Sequence, residues 1–212
     1  MIIRRTANAG VLLQMDGISL LLDGVRQEVT PYLATPRQER QALLETPPDA
    51  VLFTHKHADH YDAGFLSAYL QKTAGPVIGP ADIPHCAQEA VTLGTVRITP
   101  VSSRHIGKKE PMEHMSFIIQ GSRCVWFPGD ASPLQWQGKQ LPKPDVLIGP
   151  YAYAIGSGWE ITKKLGTGAL VLLHLPEKDN DPYGLWTQVE NTVKGQDGPK
   201  VYIPAIGENE CI

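Results

Sequence analysis

Cysteine is scarce in this chain: Cys86, Cys124 and Cys211 are the only three, far apart and without a Cys-x-x-Cys spacing. That excludes a disulfide framework and a zinc knuckle, and reduced thiols suit a cytoplasmic protein. A long apolar run is also missing. The Arg4-Arg5 pair ahead of an apolar stretch superficially resembles a signal peptide, but Gln14, Asp16 and Asp23 interrupt that stretch. No export is expected, and no segment could span a bilayer. Neither sign of charge dominates, with 19 Lys and Arg against 22 Asp and Glu for a net charge of −3. Arg4-Arg5 and Lys108-Lys109 are isolated pairs, read as solvated, so nothing attracts nucleic acid or an anionic membrane. There is no Gly-x-Ser-x-Gly elbow, and Cys124 lacks an evident base partner, which removes the common routes to a covalent acyl-enzyme. Linkers, low-complexity segments and any long substrate-gripping insertion are absent too.

What is present suits an ordinary globular protein. The 212 residues fit a single domain spanning 1–212, and 42% hydrophobic with 19% charged residues can bury a substantial core. Gly10 to Gly24 reads as a hairpin: Val11-Leu12-Leu13, the Asp16-Gly17 turn, then Ile18–Leu22. Thr35-Pro36 with Gln38 predicts a capped helix to about Glu45, stopped by Pro47-Pro48. Next come a buried strand at Ala50–Phe53, a helix capped by Asp62 and running to about Lys72, a short strand at Val77-Ile78, and a short helix over 81–91. His85 falls on that last helix, as a structural residue. Further strands are expected at Thr95–Ser102, Ser116–Gln120, Cys124–Phe127, Asp145–Gly149, Ala169–Leu173 and Val201–Pro204, with a helix from about Pro182 to Val193. Strand pairs followed by alternating helices and strands, roughly twice over, predict an α/β protein built as a four-layer α/β/β/α sandwich.

The densest chemistry lies in Thr54-His55-Lys56-His57-Ala58-Asp59-His60-Tyr61-Asp62. His55, His57, Asp59 and His60 are good ligands for a divalent transition metal. Residues two apart at a strand end point the same way, so His55 and His57 can grip one ion, and Asp59 and His60 on the turning chain can face a second. Lys56, between two ligands, should point away. Asp62 is an N-cap, and Asp23 a candidate acceptor that orients a ligand histidine through its other ring nitrogen.

Three further candidates each follow a strand: His105, Asp130 and His174. His55, His57 and His105 would hold one ion, Asp59, His60 and His174 the other, and Asp130 would bridge cations about 3.5–4 Å apart. His114, nine residues after His105, competes with it for the third position on the first ion. His105 is favoured because it directly ends a strand, leaving His114 to donate to a substrate oxygen or to serve as a hydrogen-bonded histidine at a strand start.

This pattern resembles the metallo-β-lactamase-fold hydrolase superfamily. The His-x-His-x-Asp-His motif at His55–His60, Ser103-Arg104-His105, Phe127-Pro128-Gly129-Asp130 and Leu172-Leu173-His174 carry the resemblance, along with the hairpin that ends at Asp23. The compact length, the Asp59-His60-Tyr61-Asp62 form and the His174-Leu175-Pro176 ending lean towards the ascorbate-6-phosphate lactonase-like branch. The resemblance implies a metal-dependent hydrolase acting on an ester, lactone or related bond of a small metabolite. Two divalent ions would supply the nucleophile and polarise the substrate oxygen. Zinc is the expected metal, with manganese or iron(II) as alternatives. Asp59 would serve as both ligand and acceptor for the attacking water.

Substrate choice should come from the crevice walls. Tyr151, Tyr153, Trp159, Trp186, Arg104 and His114 are candidates, and Arg104 with Lys108 and Lys109 would favour an anionic substrate. Self-association is left open. Two other readings stand beside the first: a phosphodiesterase or nuclease of the same fold, and a metal-binding protein without turnover.

Overall fold

Leu20 and Leu22 face one way and Leu21 the other, and the layering of the whole protein follows from alternation of this kind. The computed structural model describes residues 1–30, 32–107, 113–195 and 197–212. Its elements run β1 (Ile2–Arg5), β2 (Val11–Met15), β3 (Ile18–Leu22), α1 (Arg37–Glu45), β4 (Ala50–Leu52), α2 (Ala63–Lys72), β5 (Val77–Ile78), β6 (Val91–Leu93) and β7 (Val96–Ser102). They continue with β8 (Met115–Gln120), β9 (Cys124–Phe127), β10 (Val146–Pro150), α3 (Gly156–Leu165), β11 (Ala169–Leu173), α4 (Leu185–Val193), β12 (Lys200–Tyr202) and β13 (Asn209–Cys211).

The strands form a six-stranded sheet in the order β13-β1-β2-β3-β4-β5 and a seven-stranded sheet in the order β12-β11-β10-β9-β8-β7-β6. One apolar cluster joins their inner faces: Leu20, Leu22 and Leu52 from the first sheet, Phe117, Phe127, Ile148 and Val171 from the second. The outward residues of the same strands build two further clusters. Leu21, Val51 and Phe53 pack with Phe65, Leu66 and Tyr69 of α2, while Trp126, Leu147 and Leu172 pack with Trp159 of α3 and Val189 of α4. Helix, sheet, sheet and helix thus form the four expected layers.

Strand direction then decides where the chemistry falls. β3, β4 and β5 are mutually parallel, as are β9, β10, β11 and β12, and β7 runs antiparallel to β8, which runs antiparallel to β9. The C-terminal ends of β7, β9 and β11 therefore emerge on one edge of their sheet, and those of β3 and β4 on one edge of the other.

The hairpin turn occurs at Asp16 and Gly17, both at positive φ (53° and 79°), and Asp62 caps α2 by accepting from Phe65 N at 2.6 Å. Three expectations need correction. Thr35 does not cap α1. Its hydroxyl accepts from Arg26 N at 3.0 Å, and Pro36 takes the N-cap position without a side-chain bond. No helix forms over 81–91: Ala87 N donates to Val77 O, and His85 turns the chain at φ 67°. Arg5 is not solvated but 7% exposed, whereas Arg4 pairs with Glu39. The sequence reading also missed α3, whose Gly156 and Gly158 argue against a helix. Gly158 is there because an added Cβ would meet Ala152 O at 1.8 Å.

Candidate metal centre

β4 ends at Leu52, and the chain then bends through Thr54–His60 in a tight turn in which both His60 N and Tyr61 N donate to His57 O at 2.9 Å. The turn aims the imidazoles inward: His55 Nε2 lies 2.9 Å from His57 Nδ1, and Lys56 swings out to donate to Asp82 O. Across the gap, β7 delivers His105, β9 delivers Asp130 and β11 delivers His174. The His105 and Asp130 loops are stitched together, because Ile106 N donates to Asp130 O at 2.8 Å. Gly129 sits at φ 55°, against Thr54, where a Cβ would lie 2.5 Å from Thr54 Cγ2. His174 itself adopts φ 61°, unusual for a residue with a side chain.

The structure brings all seven candidate ligands together. Three sets each have their ligand atoms within 4.8 Å of one another: His55, His57 and His105; His55, His60 and Asp130; and Asp59, His60 and His174. Asp130 Oδ2 is central, 3.4 Å from Nε2 of His60, of His105 and of His174. Those three nitrogens are buried and make no hydrogen bond.

Their other ring nitrogens explain why the Nε2 lone pairs face the gap. His60 Nδ1 is 2.9 Å from Asp23 Oδ2 and His105 Nδ1 is 2.6 Å from the Ile106 carbonyl, both acceptors. Each ring therefore holds its proton on Nδ1 and leaves Nε2 as a donor atom for a cation. His55 Nδ1 lies 3.0 Å from Thr54 Oγ1, whose own proton goes to Asp23 at 2.6 Å. His174 Nδ1 faces the Tyr32 hydroxyl at 3.2 Å. Orphaned nitrogens and carboxylate oxygens converging in a buried space fit a divalent metal site.

Electrostatics agree. Burial alone would raise the Asp130 carboxyl, yet the charges of His174 and His60 hold it well below the usual carboxylate range. Asp59 is lowered in the same way, against its burial, by His174 and His60. Burial would lower His60, but Asp130 and Asp23 push it well above the ordinary histidine value, so the two carboxylates favour a positive charge between them, the place a metal ion at Nε2 would take. His55 is lowered by burial and by its histidine neighbours.

His114 is not part of any of the three sets. It is 4% exposed, stacks on His55 with centroids 5.0 Å apart, and places Nδ1 at 2.7 Å from Ser103 Oγ. Burial keeps it neutral, pushed down to about 3. Among the proposed walls, Tyr151 is half-buried beside the cluster and the Arg104 side chain is exposed. Tyr153 and Trp159 cannot line a crevice. Both are buried in the core outside the second sheet, with the Tyr153 hydroxyl donating to Ala131 O and accepting from Trp136. Trp186 donates to Pro176 O. Lys108 and Lys109 lie outside the described residues. The sequence reading missed Tyr32, which no local pattern marks as a neighbour of His174.

Two sheets with outer helices, and a histidine–carboxylate cluster at their shared edge, define the class of metal-binding proteins with the metallo-β-lactamase fold. Residues 3–166 match the family described as the beta-lactamase superfamily domain, and the chain belongs to that family. Solved structures share the fold across its full length. An isothiocyanate hydrolase from Delia radicum gut bacteria superposes with a TM-score of 0.72 at 17% identity, covering 100% of this chain and 99% of that one. Igni18, a metallo hydrolase from Ignicoccus hospitalis, gives 0.68 at 19% identity, covering 99% and 97%. The diiron β-hydroxylase CmlA from Streptomyces venezuelae gives 0.67 at 12% identity, covering 100% of this chain and 54% of that one. No curated protein matches the sequence. Among the described residues, no helix is long and apolar enough to cross a membrane.

Proposed function

We propose that this chain is a dinuclear metal-dependent hydrolase that cleaves an ester or lactone bond in a small, anionic metabolite. The observation that carries the reading is the set of buried, unpartnered Nε2 atoms of His60, His105 and His174 around a single Asp130 oxygen. His55, His57 and His105 would hold one ion and Asp59, His60 and His174 the other, with Asp130 between them. Five imidazoles and two carboxylates suit zinc, with manganese or iron as alternatives. Bound there, the metal pair would supply hydroxide near neutral pH and polarise the substrate oxygen.

The chain's own groups do the rest. Asp59, with one oxygen 3.2 Å from His174 Nε2, has a second oxygen with which to accept a hydrogen bond from an attacking water and orient it. His114, neutral and fixed through Ser103, presents its unpartnered Nε2 beside His55. Tyr151, half-buried within reach of the Asp130 charge, would border the substrate. Among the described residues, the exposed large apolar side chains include Leu33, Ile106, Leu134 and Tyr183, which ride on loops or a short 3-10 turn close in sequence to site residues, a rim that would shelter an organic substrate from water. The three free thiols agree with a cytoplasmic setting.

Elemental analysis and a hydrolysis panel test this reading. Purified protein should carry about two transition-metal ions per chain. It should turn over lactones or carboxylic esters faster than bis-p-nitrophenyl phosphate, and His57→Ala should abolish the activity. Less than about one metal per chain after reconstitution would refute a metal centre. Preference for the phosphodiester would favour the nuclease-type reading.

A further inference from the structure

Two guanidinium groups are buried beside the metal centre, and among the described residues neither forms an ion pair with a carboxylate. Arg5 is 7% exposed and donates to the carbonyls of Ala7, Asn8, Leu175 and Pro204. Arg26, 3% exposed, is much less satisfied. Its Nη1 reaches the Gln27 carbonyl at 3.5 Å, its guanidinium lies over the Tyr32 ring at 5.5 Å, and its Nε has no partner. The Asn8 amide nitrogen, on a residue 2% exposed, is equally unpartnered. All three side chains line one cavity, together with Tyr32, Leu175 and Glu177. Burial lowers Arg26 to about 10, opposed by the nearby Asp59 charge, so it remains a cation at neutral pH. Unpaired donors around a buried space call for an acceptor.

The cavity shares a wall with the metal centre. Gln27 N donates to Ala58 O at 3.0 Å, which ties the Arg26 segment to the histidine turn, and His174 N donates to Asn8 O at 2.9 Å. Tyr32 stands between, with its hydroxyl 3.2 Å from His174 Nδ1. Arg5, Asn8, Arg26 and Leu175 are all buried around this cavity, so it admits only a small group. A planar carboxylate brings one negative charge to match the Arg26 cation, whereas a tetrahedral phosphate monoester carries nearly two. Glu177 is exposed at this cavity and supplies a competing negative charge, which bears on Arg5 rather than Arg26.

We propose that this cavity is an anion subsite in which Arg26 and Asn8 receive a carboxylate of the substrate while the bond to be cleaved lies at the metal cluster beyond Tyr32. The assignment rests on the hydrolase reading and narrows its substrate to a carboxylate-bearing ester or lactone. It moves the source of anion selectivity from the exposed Arg104 to Arg26.

A matched pair of esters tests it on the metal-loaded protein: p-nitrophenyl hydrogen succinate and neutral p-nitrophenyl butyrate. Arg26→Gln should lower kcat/KM for the succinate ester at least about tenfold, the scale of one charge-assisted hydrogen bond, and leave the butyrate ester within about twofold. Arg26→Lys should fall between. Asn8→Asp, which adds a negative charge at the same cavity, should repeat the selective loss if Arg26→Gln does not fold. Equal losses on both esters, or no loss on either, would overturn the subsite.

If the wild type cleaves neither ester, binding decides the subsite by itself, independently of the hydrolase reading. Succinate titrated calorimetrically into the metal-loaded protein should bind at least about tenfold more weakly to Arg26→Gln, and equal affinity would overturn it. Methyl phosphate should show no such dependence on Arg26. A larger effect on methyl phosphate than on succinate would overturn the carboxylate assignment.

Discussion

Asp23 Oδ2 accepts the Nδ1 proton of His60 at 2.9 Å, and the two side chains are 0% and 1% exposed. The same carboxylate accepts from Thr54 N and Thr54 Oγ1, at 2.8 and 2.6 Å, so three donors converge on it. An amide of the same shape has one oxygen and one nitrogen, and the nitrogen would face a donor. Asp23→Asn should therefore loosen His60 and weaken metal affinity about 10- to 100-fold, measured by competition with a chelator. Unchanged affinity would show that His60 holds its orientation without Asp23.

Asp130 touches both halves of the cluster through one oxygen. Asp130→Asn removes its charge and should drop the bound metal from about two ions per chain to about one, read by elemental analysis after gel filtration. Retention of the full complement would rule out a bridging role.

Gly129 carries a constraint that only activity and stability together reveal. Its φ of 55° and its approach to Thr54 leave no space for a methyl group. Gly129→Ala should cost a few kcal/mol in urea denaturation and displace Asp130 next door, lowering metal content as well. A variant as stable and as metal-rich as the wild type would contradict the packing described.

His114 should make the metal-free protein acid-sensitive. Its folded value of about 3 lies below the ordinary 6.5, so the unfolded chain takes up a proton first as pH falls. The stability of the fold then declines from about pH 6.5 towards pH 3, by up to about 1.4 kcal/mol per pH unit for each such histidine. In chelator-treated protein, His114→Gln should flatten part of that decline between about pH 6.5 and 4. A slope identical to the wild type would mean that His114 is not held neutral.

Much of the site was legible because metal chemistry needs several side chains close together, and a strand end supplies them within a few residues. Thr54–Asp62 has that density, and the strand ends before His105, Asp130 and His174 follow from apolar runs that are easy to read. Residues brought close only by tertiary contact left no such signature. Tyr32, Arg26 and Asn8 sit in irregular segments whose neighbours come from distant parts of the chain. Tyr153 and Trp159 misled for the converse reason: an aromatic after a strand looks the same in sequence whether it faces a crevice or the core. At α3, two glycines required by close backbone packing masked helical periodicity, and over 81–91 turn-forming residues stood where the sequence suggested a helix.

The split origin of the cluster has a mechanical consequence. His55, His57, Asp59 and His60 hang from the six-stranded sheet, whereas His105, Asp130 and His174 hang from the seven-stranded one. A cation held by both groups works as a rivet through the seam, closing loops of chain far longer than any hairpin. Prying the sheets apart at that edge would tear out the chemistry before it melted either sheet.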